Sequence, residues 1–195
     1  MTSQQFSIRP GRREDAPVLA ELVNYAGEGL PLYLWGKLAG PGQDAWALGR
    51  ERAGRETGGF SFRNATIIEQ RGEPVGGLIG YEIPDNPEPV SPDMPAMFVP
   101  LQELENLAPG TWYVNVLAVL PASRGSGLGS RLLAVAEEMA ANLGKRGLSI
   151  IVADGNRGAV RLYERHGYVE IARRPMVKEE WVNAGENWVL LVKYP

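Results

Sequence analysis

The sequence predicts a mixed α/β fold, and three observations carry that expectation. Thr111 to Val119 is a β-rich run that passes through a glycine-rich turn into a helical pattern. Leu148 to Ala153 is short and continuously apolar, as expected of a strand buried on both faces, and a second helical pattern follows it. Phe62 to Glu69 and Pro74 to Ile83 are strand-like runs joined by Arg71-Gly72-Glu73, which reads as a hairpin.

The remaining elements follow in order. Phe6 to Arg9 reads as a short strand stopped by Pro10-Gly11. Asp15 is placed to cap a helix with Pro17 in its first turn, where a missing N–H costs nothing. Val18, Leu19, Leu22, Val23 and Ala26 then recur at helical spacing, and Gly27 ends the run. Residues 30–57 hold two short helical pieces split by Gly40-Pro41-Gly42, one with Leu32, Leu34, Trp35 and Leu38, the other with Trp46 and Leu48. Pro84, Pro87, Pro89, Pro92, Pro95 and Pro100 forbid a central strand or long helix over residues 84–110, leaving room for a short helix around Leu101 to Leu107. Leu128, Leu132, Val135, Ala136, Met139 and Leu143 mark one face of the helix after the glycine-rich turn, with Gly144 as its C′ residue. Asn156 is placed to cap a shorter helix that carries Ala159, Val160 and Tyr163 and stops at Gly167. Tyr168 to Ala172 and Asn187 to Tyr194 close the chain as strands. No repeat or linker divides it, so residues 1–195 read as a single domain.

Composition narrows the chemistry. Twenty Lys and Arg against 23 Asp and Glu leave a net charge of −3, which argues against a nucleic-acid or anionic-membrane partner. Zero Cys removes disulfides, thiolate nucleophiles and Cys-ligated metals. A single His, His166, removes any His-pair metal site, so no metal is expected. His166 precedes Gly167 in the last turn of a helix, where a cation is favoured and nothing marks it as catalytic. No run approaches the about 20 apolar residues needed to span a bilayer, and Met1 to Phe6 lacks an export signal, so a cytoplasmic protein is expected.

The sharpest motif is Arg124-Gly125-Ser126-Gly127-Leu128-Gly129, lying between a strand and a helix. Glycines there leave backbone N–H groups unblocked at a helix N-terminus, where the dipole favours a phosphate, and Arg124 adds a cation. The dinucleotide pattern fails, because Ser130 stands where its third Gly belongs and no acid lies about 20 residues on. A P-loop fails because the chain has no G-K-[ST]. The pattern R-x-x-G-x-G/A is met.

That motif resembles the coenzyme-A-binding loop of the GNAT superfamily of N-acetyltransferases. Asn156-Arg157-Gly158-Ala159-Val160-Arg161-Leu162-Tyr163-Glu164-Arg165-His166-Gly167-Tyr168 resembles the family's second signature, N-x-x-A-x-x-x-Y-x-x-x-G-[FY], and the order of elements agrees. The resemblance implies a mostly antiparallel central sheet flanked by helices, with the fourth and fifth strands parallel and splayed. It implies acetyl-CoA as cosubstrate. The pantetheine arm would lie along Leu117, Ala118 and Val119, and the pyrophosphate on Arg124, Gly125, Ser126, Gly127, Leu128, Gly129 and Ser130, with Asn156, Ala159 and Tyr163 completing the cofactor contacts.

The implied reaction is direct acetyl transfer to a primary amine of a small molecule or protein, with Tyr163 as the general acid that protonates the leaving thiolate. Many relatives carry a Glu on the fourth strand as base. Here that place holds Asn115, which can position a water but not take a proton; Glu82, Glu103 or Glu105 could supply a carboxylate. From Gly72 to Ser123 there is no Lys or Arg, and this acidic, proline-stiffened stretch could attract a cationic amine or simply be solvated. The acceptor is expected to meet Tyr33, Trp35, Glu82 and Glu103, with core packing the role of at least one aromatic residue of that region. By analogy with relatives, the last strands with Trp181 and Trp188 could build a homodimer contact. The alternative function is a non-catalytic acyl-CoA-binding sensor.

Overall fold

The computed structural model describes residues 6–195; residues 1–5, part of the stretch read above for an export signal, lie outside it. Along the chain run β1 (Phe6–Pro10), α1 (Ala16–Ala26), α2 (Leu30–Leu38), α3 (Ala45–Ala53), β2 (Ala65–Gln70), β3 (Glu73–Glu82), α4 (Val99–Glu105), β4 (Trp112–Val119), α5 (Leu128–Asn142), β5 (Leu148–Ala153), α6 (Arg157–Arg165), β6 (Val169–Pro175) and β7 (Asn187–Lys193). The strands form one mixed sheet in the order β1-β2-β3-β4-β5-β7-β6, with β4 and β5 parallel, as expected. The chain packs as two units: residues up to Gly80 with Asn115–Leu132, and Tyr81–Val114 with Leu133–Pro195. The divisions fall inside β3, β4 and α5. Among the described residues no helix is long and apolar enough to cross a membrane.

In the first unit, β1, β2 and β3 are antiparallel, with Ile8 opposite Ile68 and Ile67 opposite Gly77. The buried face of α1 is Ala16, Leu19, Ala20, Leu22 and Val23, the spacing that a helix needs to lay one stripe on a core. Its neighbours in that core include Trp35, Phe62, Ile67, Ile79 and Val116. The Trp35 ring stacks on Phe60 at 5.9 Å and meets Trp46 edge-on at 6.0 Å. Gly76 on β3 is needed for close approach: a Cβ there would lie 2.8 Å from the Ala118 carbonyl oxygen of β4.

Two local expectations are corrected here. The strand expected from Phe62 begins at Ala65, because Ser61 caps a 3-10 turn over Phe62–Asn64 and Asn64 donates to the carbonyls of Gly58 and Gly59. Asp15 stands at the N-cap position of α1 but makes no side-chain cap. Its carboxylate instead accepts from the Arg12 N–H at 2.7 Å and from both terminal nitrogens of Arg9 at 2.7 and 2.8 Å. Arg9 also donates to Glu69 on β2 at 2.6 Å, so one guanidinium ties β1, β2 and the entry to α1.

In the second unit, β4 and β5 pair over three positions, Trp112↔Leu148, Tyr113↔Ser149 and Val114↔Ile150. β7 pairs antiparallel with the whole of β5, from Leu148↔Lys193 to Ala153↔Trp188, and β6 covers its other side. β6 runs three residues beyond the expected Ala172, to Pro175, which a sheet edge tolerates at a strand end. Trp181 and Trp188 are buried and stacked on each other at 5.8 Å, so their faces serve this chain's own packing. On α5 the buried face includes Leu128, Leu132, Leu133, Ala136 and Ala140; Leu143 is exposed, because the helix ends at Asn142 and Gly144 turns with φ +62°.

The proline-rich stretch before β4 is ordered. Met97, Leu104 and Ala108 are buried, and Asn106 donates to the Glu88 carbonyl at 2.7 Å. Two of its acids meet cations from outside the stretch, Asp85 with Arg146 at 3.1 Å and Glu103 with Arg174 at 2.7 Å, and Glu82 just before it meets Lys145.

The Asp15 site sets a pH dependence. Burial alone would raise its pKa, but the Arg9 side chain and the Arg12 N–H hold the carboxyl below the ordinary carboxylate range. A depressed folded-state pKa stabilises above the unfolded value, and that stability is lost as pH falls through the folded value. Asp15→Asn is therefore expected to cost about 3 kcal/mol at neutral pH, as for a buried pair that loses one partner. Denaturant melts should show the gap between wild type and variant closing in acid.

Candidate functional site

The residues singled out from the sequence fall into two groups, one in each unit. In the first unit the glycine loop is built from both ends. Pro121–Ser123 forms a single 3-10 turn after β4, and the Leu120 N–H donates to the Val75 carbonyl at 2.8 Å, fixing where the loop leaves the sheet. Arg124 Nε donates to the Val119 carbonyl at 3.0 Å, and its guanidinium lies over the Tyr25 ring at 5.3 Å. Part of this cation's role is thus to brace the loop. Gly125 and Gly127 adopt φ of +76° and +79°, the left-handed region that other residues enter at a cost. A Cβ on either would meet no atom within 4 Å. The reason for glycine here is therefore backbone conformation and an uncovered surface, not crowding.

α5 starts at Leu128, and Arg131 N–H donating to the Gly127 carbonyl at 3.2 Å closes its first turn. The opening N–H groups of a helix have no acceptor within it and carry the positive end of its dipole. The loop surface from Arg124 to Gly127 is exposed. A phosphate would find there a 15-residue helix, backbone N–H groups and no side chain from Gly125 or Gly127 in the way. On β4, Asn115, Leu117 and Val119 are half-buried while Val116 and Ala118 are buried, so one side of this strand end is the open one. Tyr33 sits on α2 with Lys37 over its ring at 5.4 Å, whereas Trp35 is closed into the core. A pocket of about 370 Å³ lies in this unit between α1 and α3, lined by Pro17, Glu21, Asn24, Tyr25, Trp46 and Arg50.

The second unit holds Asn156, Tyr163 and the acids. Asn156 caps α6, its Oδ1 accepting from the Ala159 N–H at 3.1 Å, as the sequence predicts. The turn before it is fastened by Asp154, which accepts from the Glu186 N–H at 2.8 Å and the Asn187 amide at 2.9 Å. Tyr163 is the buried residue of α6 and packs against Tyr168 at 5.8 Å between ring centroids. Burial raises the Tyr163 pKa well above that of free tyrosine, so its hydroxyl stays protonated across the ordinary pH range. The Tyr168 hydroxyl is buried with no hydrogen-bond partner among the described residues. Such a group stands ready to bond whatever polar atom reaches it. Ala159 is half-buried on the same helix, and His166 supplies the C-cap, its N–H donating to the carbonyls of Leu162 and Tyr163.

Of the acids, Glu82 is exposed and engaged by Lys145, and Glu103 is engaged by Arg174. Glu105 is different. It is half-buried at the end of α4, where the Tyr81 hydroxyl donates to it at 3.5 Å, and Tyr81 packs edge-on against Tyr113 of β4 at 5.4 Å. Sequence reasoning named Glu105 but missed Tyr81 and Tyr113. Strand alternation held the signal for Tyr113, since it stands two residues before Asn115 and shares its side of β4.

The acetyltransferase (GNAT) family model matches residues 35–168 of this chain. An acetyltransferase of Agrobacterium fabrum is 44% identical over 64 residues, which are 33% of this chain and 45% of that relative. A relative from Bacillus subtilis is 40% identical over 58 residues, 30% of this chain and 36% of its own length. The chain thus spans less than half the length of these curated relatives. Among solved structures, that of an acetyltransferase superposes with a TM-score of 0.66 at 22% identity, over 96% of this chain and 98% of that one. A GNAT family acetyltransferase from Elizabethkingia anophelis, solved with acetyl-CoA bound, superposes with a TM-score of 0.62 at 15% identity, over 99% of this chain and 100% of that one. At these identities the likeness to solved structures is one of fold. The family match takes in β4, the glycine loop and the segment from Asn156 to Tyr168, and so the chain belongs to the acetyltransferase (GNAT) family.

Proposed function

We propose that the protein moves an acetyl group from acetyl-CoA directly to a primary amine of a small molecule or protein. The observation that carries this reading is the loop of Gly125 and Gly127, held in left-handed backbone conformation at the start of α5 in a chain of this family. The acetyl-CoA bound to the Elizabethkingia relative supports the choice of cosubstrate. In this reading the loop N–H groups and Arg124 take the pyrophosphate, and the backbone of Leu117, Ala118 and Val119 takes the pantetheine arm. Asn156 and Ala159 contribute at the start of α6.

The acceptor nitrogen is the nucleophile. That suits a chain with no Cys and one His, because no covalent enzyme intermediate is needed. Tyr163 gives its proton to the thiolate as the C–S bond breaks. Its raised pKa means that the hydroxyl carries its proton before the reaction. Asn115 orients a water or the acceptor. Tyr33, Glu82 and Glu103 are the proposed acceptor contacts; Trp35 is left out of them because it is closed into the core.

Two outcomes test this. Gly127→Val should weaken acetyl-CoA binding at least about 100-fold by calorimetric titration, because it blocks the approach of the phosphate and disfavours the left-handed backbone, a penalty of about 1–2 kcal/mol. Unchanged affinity would remove the loop from the site. Tyr163→Phe should lower kcat by about 100-fold, the usual worth of a positioned acid, while the acetyl-CoA Kd moves less than about threefold. Equal losses in both would reduce Tyr163 to a packing residue.

A further inference from the structure

The reaction needs a neutral amine, yet β4 offers Asn115 where a carboxylate would serve. Alkylamines have pKa values near that of lysine, about 10, so near pH 7 only about one molecule in a thousand is neutral. A group that removes the ammonium proton therefore has much to gain. Glu82 at the end of β3 and Glu103 within α4 each already have a cation as partner.

Glu105 has the opposite surroundings. α4 is anchored by Leu104, which is fully buried, and by Pro100, so Glu105 is carried on a fixed helix end. Facing it are Tyr81 from the end of β3, Tyr113 from β4 and the negative charge of Glu88. α4 also packs against β5, β6 and β7. On those strands Arg174 of β6 pairs with Glu103, Ser149 of β5 with Thr111 at 2.7 Å, and Lys193 of β7 with Glu137 at 2.7 Å, while Arg173 and Glu170 of β6 pair with each other. The carboxylate thus lies among two phenol rings and a like charge. Aromatic rings and an anion form a surface that attracts an ammonium group.

We propose that Glu105, held by Tyr81 on the ordered proline-rich stretch, takes the proton from the acceptor ammonium. The proposal rests on the acetyl-transfer reading and adds the missing base to it. An N–H bond of the ammonium breaks and its proton passes to a Glu105 carboxylate oxygen. The nitrogen keeps the electron pair and forms the C–N bond to the acetyl carbon. The C–S bond breaks, and the thiolate takes a proton from Tyr163; the second proton shed by nitrogen restores Tyr163 by way of solvent. Glu105 then releases its proton to solvent, so one amide, one thiol and one proton leave. Burial pushes the Glu105 pKa up to about 7, Glu88 adds to the rise, and the Tyr81 hydrogen bond opposes it. A carboxylate of that pKa is charged above neutrality and basic enough to share an ammonium proton.

The test is the pH profile of kcat/KM for wild type, Glu105→Gln and Tyr81→Phe, with spermidine, benzylamine and a lysine-containing tetrapeptide as acceptors. Acetyl-CoA binding and Tm are measured in parallel. Wild type should show an acid limb near pH 7. Glu105→Gln should lose that limb and fall about 100-fold near pH 7.5, with the deficit shrinking as pH approaches the amine's own pKa. Tyr81→Phe should move the limb to higher pH, because it removes the bond that lowers the Glu105 pKa. Transfer by wild type, with the same profile in Glu105→Gln or an unmoved limb in Tyr81→Phe, overturns the proposal alone. Acetyl-CoA binding by wild type without transfer to any of these amines overturns the transfer reading, and this proposal with it.

Discussion

The second unit hangs on a pair of buried hydroxyls. Thr111 and Ser149 are both fully buried, and their oxygens lie 2.7 Å apart at the point where β4 and β5 start to run parallel. Two polar groups in an apolar interior are tolerated only because each satisfies the other, with Thr111 also donating to the Ala108 carbonyl at 2.8 Å. The bond fixes the relative start of the two strands. The Trp112 N–H donating to the Gly147 carbonyl at 2.9 Å adds to it. With the register set, three parallel pairs are enough, because β7 supplies six antiparallel ones to the other edge of β5. Tyr113 takes its place opposite Ser149, and from there it meets Tyr81.

The acidic, proline-rich stretch reads differently once its partners are known. As sequence it is a run without a cation; as structure it is clamped by Lys145, Arg146 and Arg174, contributed by the loop after α5 and by β6. Surface ion pairs of this kind contribute little each, about 0–1 kcal/mol. Their combined effect here is positional. They give Glu82, Asp85 and Glu103 cationic partners, while Glu105 lies beside the phenols of Tyr81 and Tyr113. Tyr163 and Glu105 are both titratable groups displaced upward by desolvation.

Much of this was legible in the sequence where local chemistry decides. Leu148–Ala153 was found to the residue, because six consecutive apolar or small residues bounded by Gly147 and Asp154 leave little choice. The Asn156 cap and the Gly144 turn were equally local. What escaped depends on groups distant in the chain. Asp15 looks like a cap until Arg9 and the Arg12 N–H are brought to it. The start of β2 shifts to Ala65 because Asn64 reaches back to Gly58 and Gly59. Glu105 and Tyr81 are 24 positions apart, and no periodicity announces their meeting. Trp35 illustrates the same limit: an aromatic residue after the first helix can be a wall or a filling, and only Phe60 and Trp46 decide.

The loop glycines carry a stereochemical consequence. At Gly125 and Gly127 the backbone is left-handed, while the place a side chain would occupy is open. Conformation and space are therefore separable at these two positions. A D-alanine introduced by chemical ligation has its natural backbone region at positive φ and would fit the folded loop without strain, whereas an L-alanine of the same volume would not. The mirror-image residue would still place a methyl group on the surface offered to a ligand. The pair of enantiomers thus divides what glycine does for the chain itself from what its bareness does for the molecule that binds there.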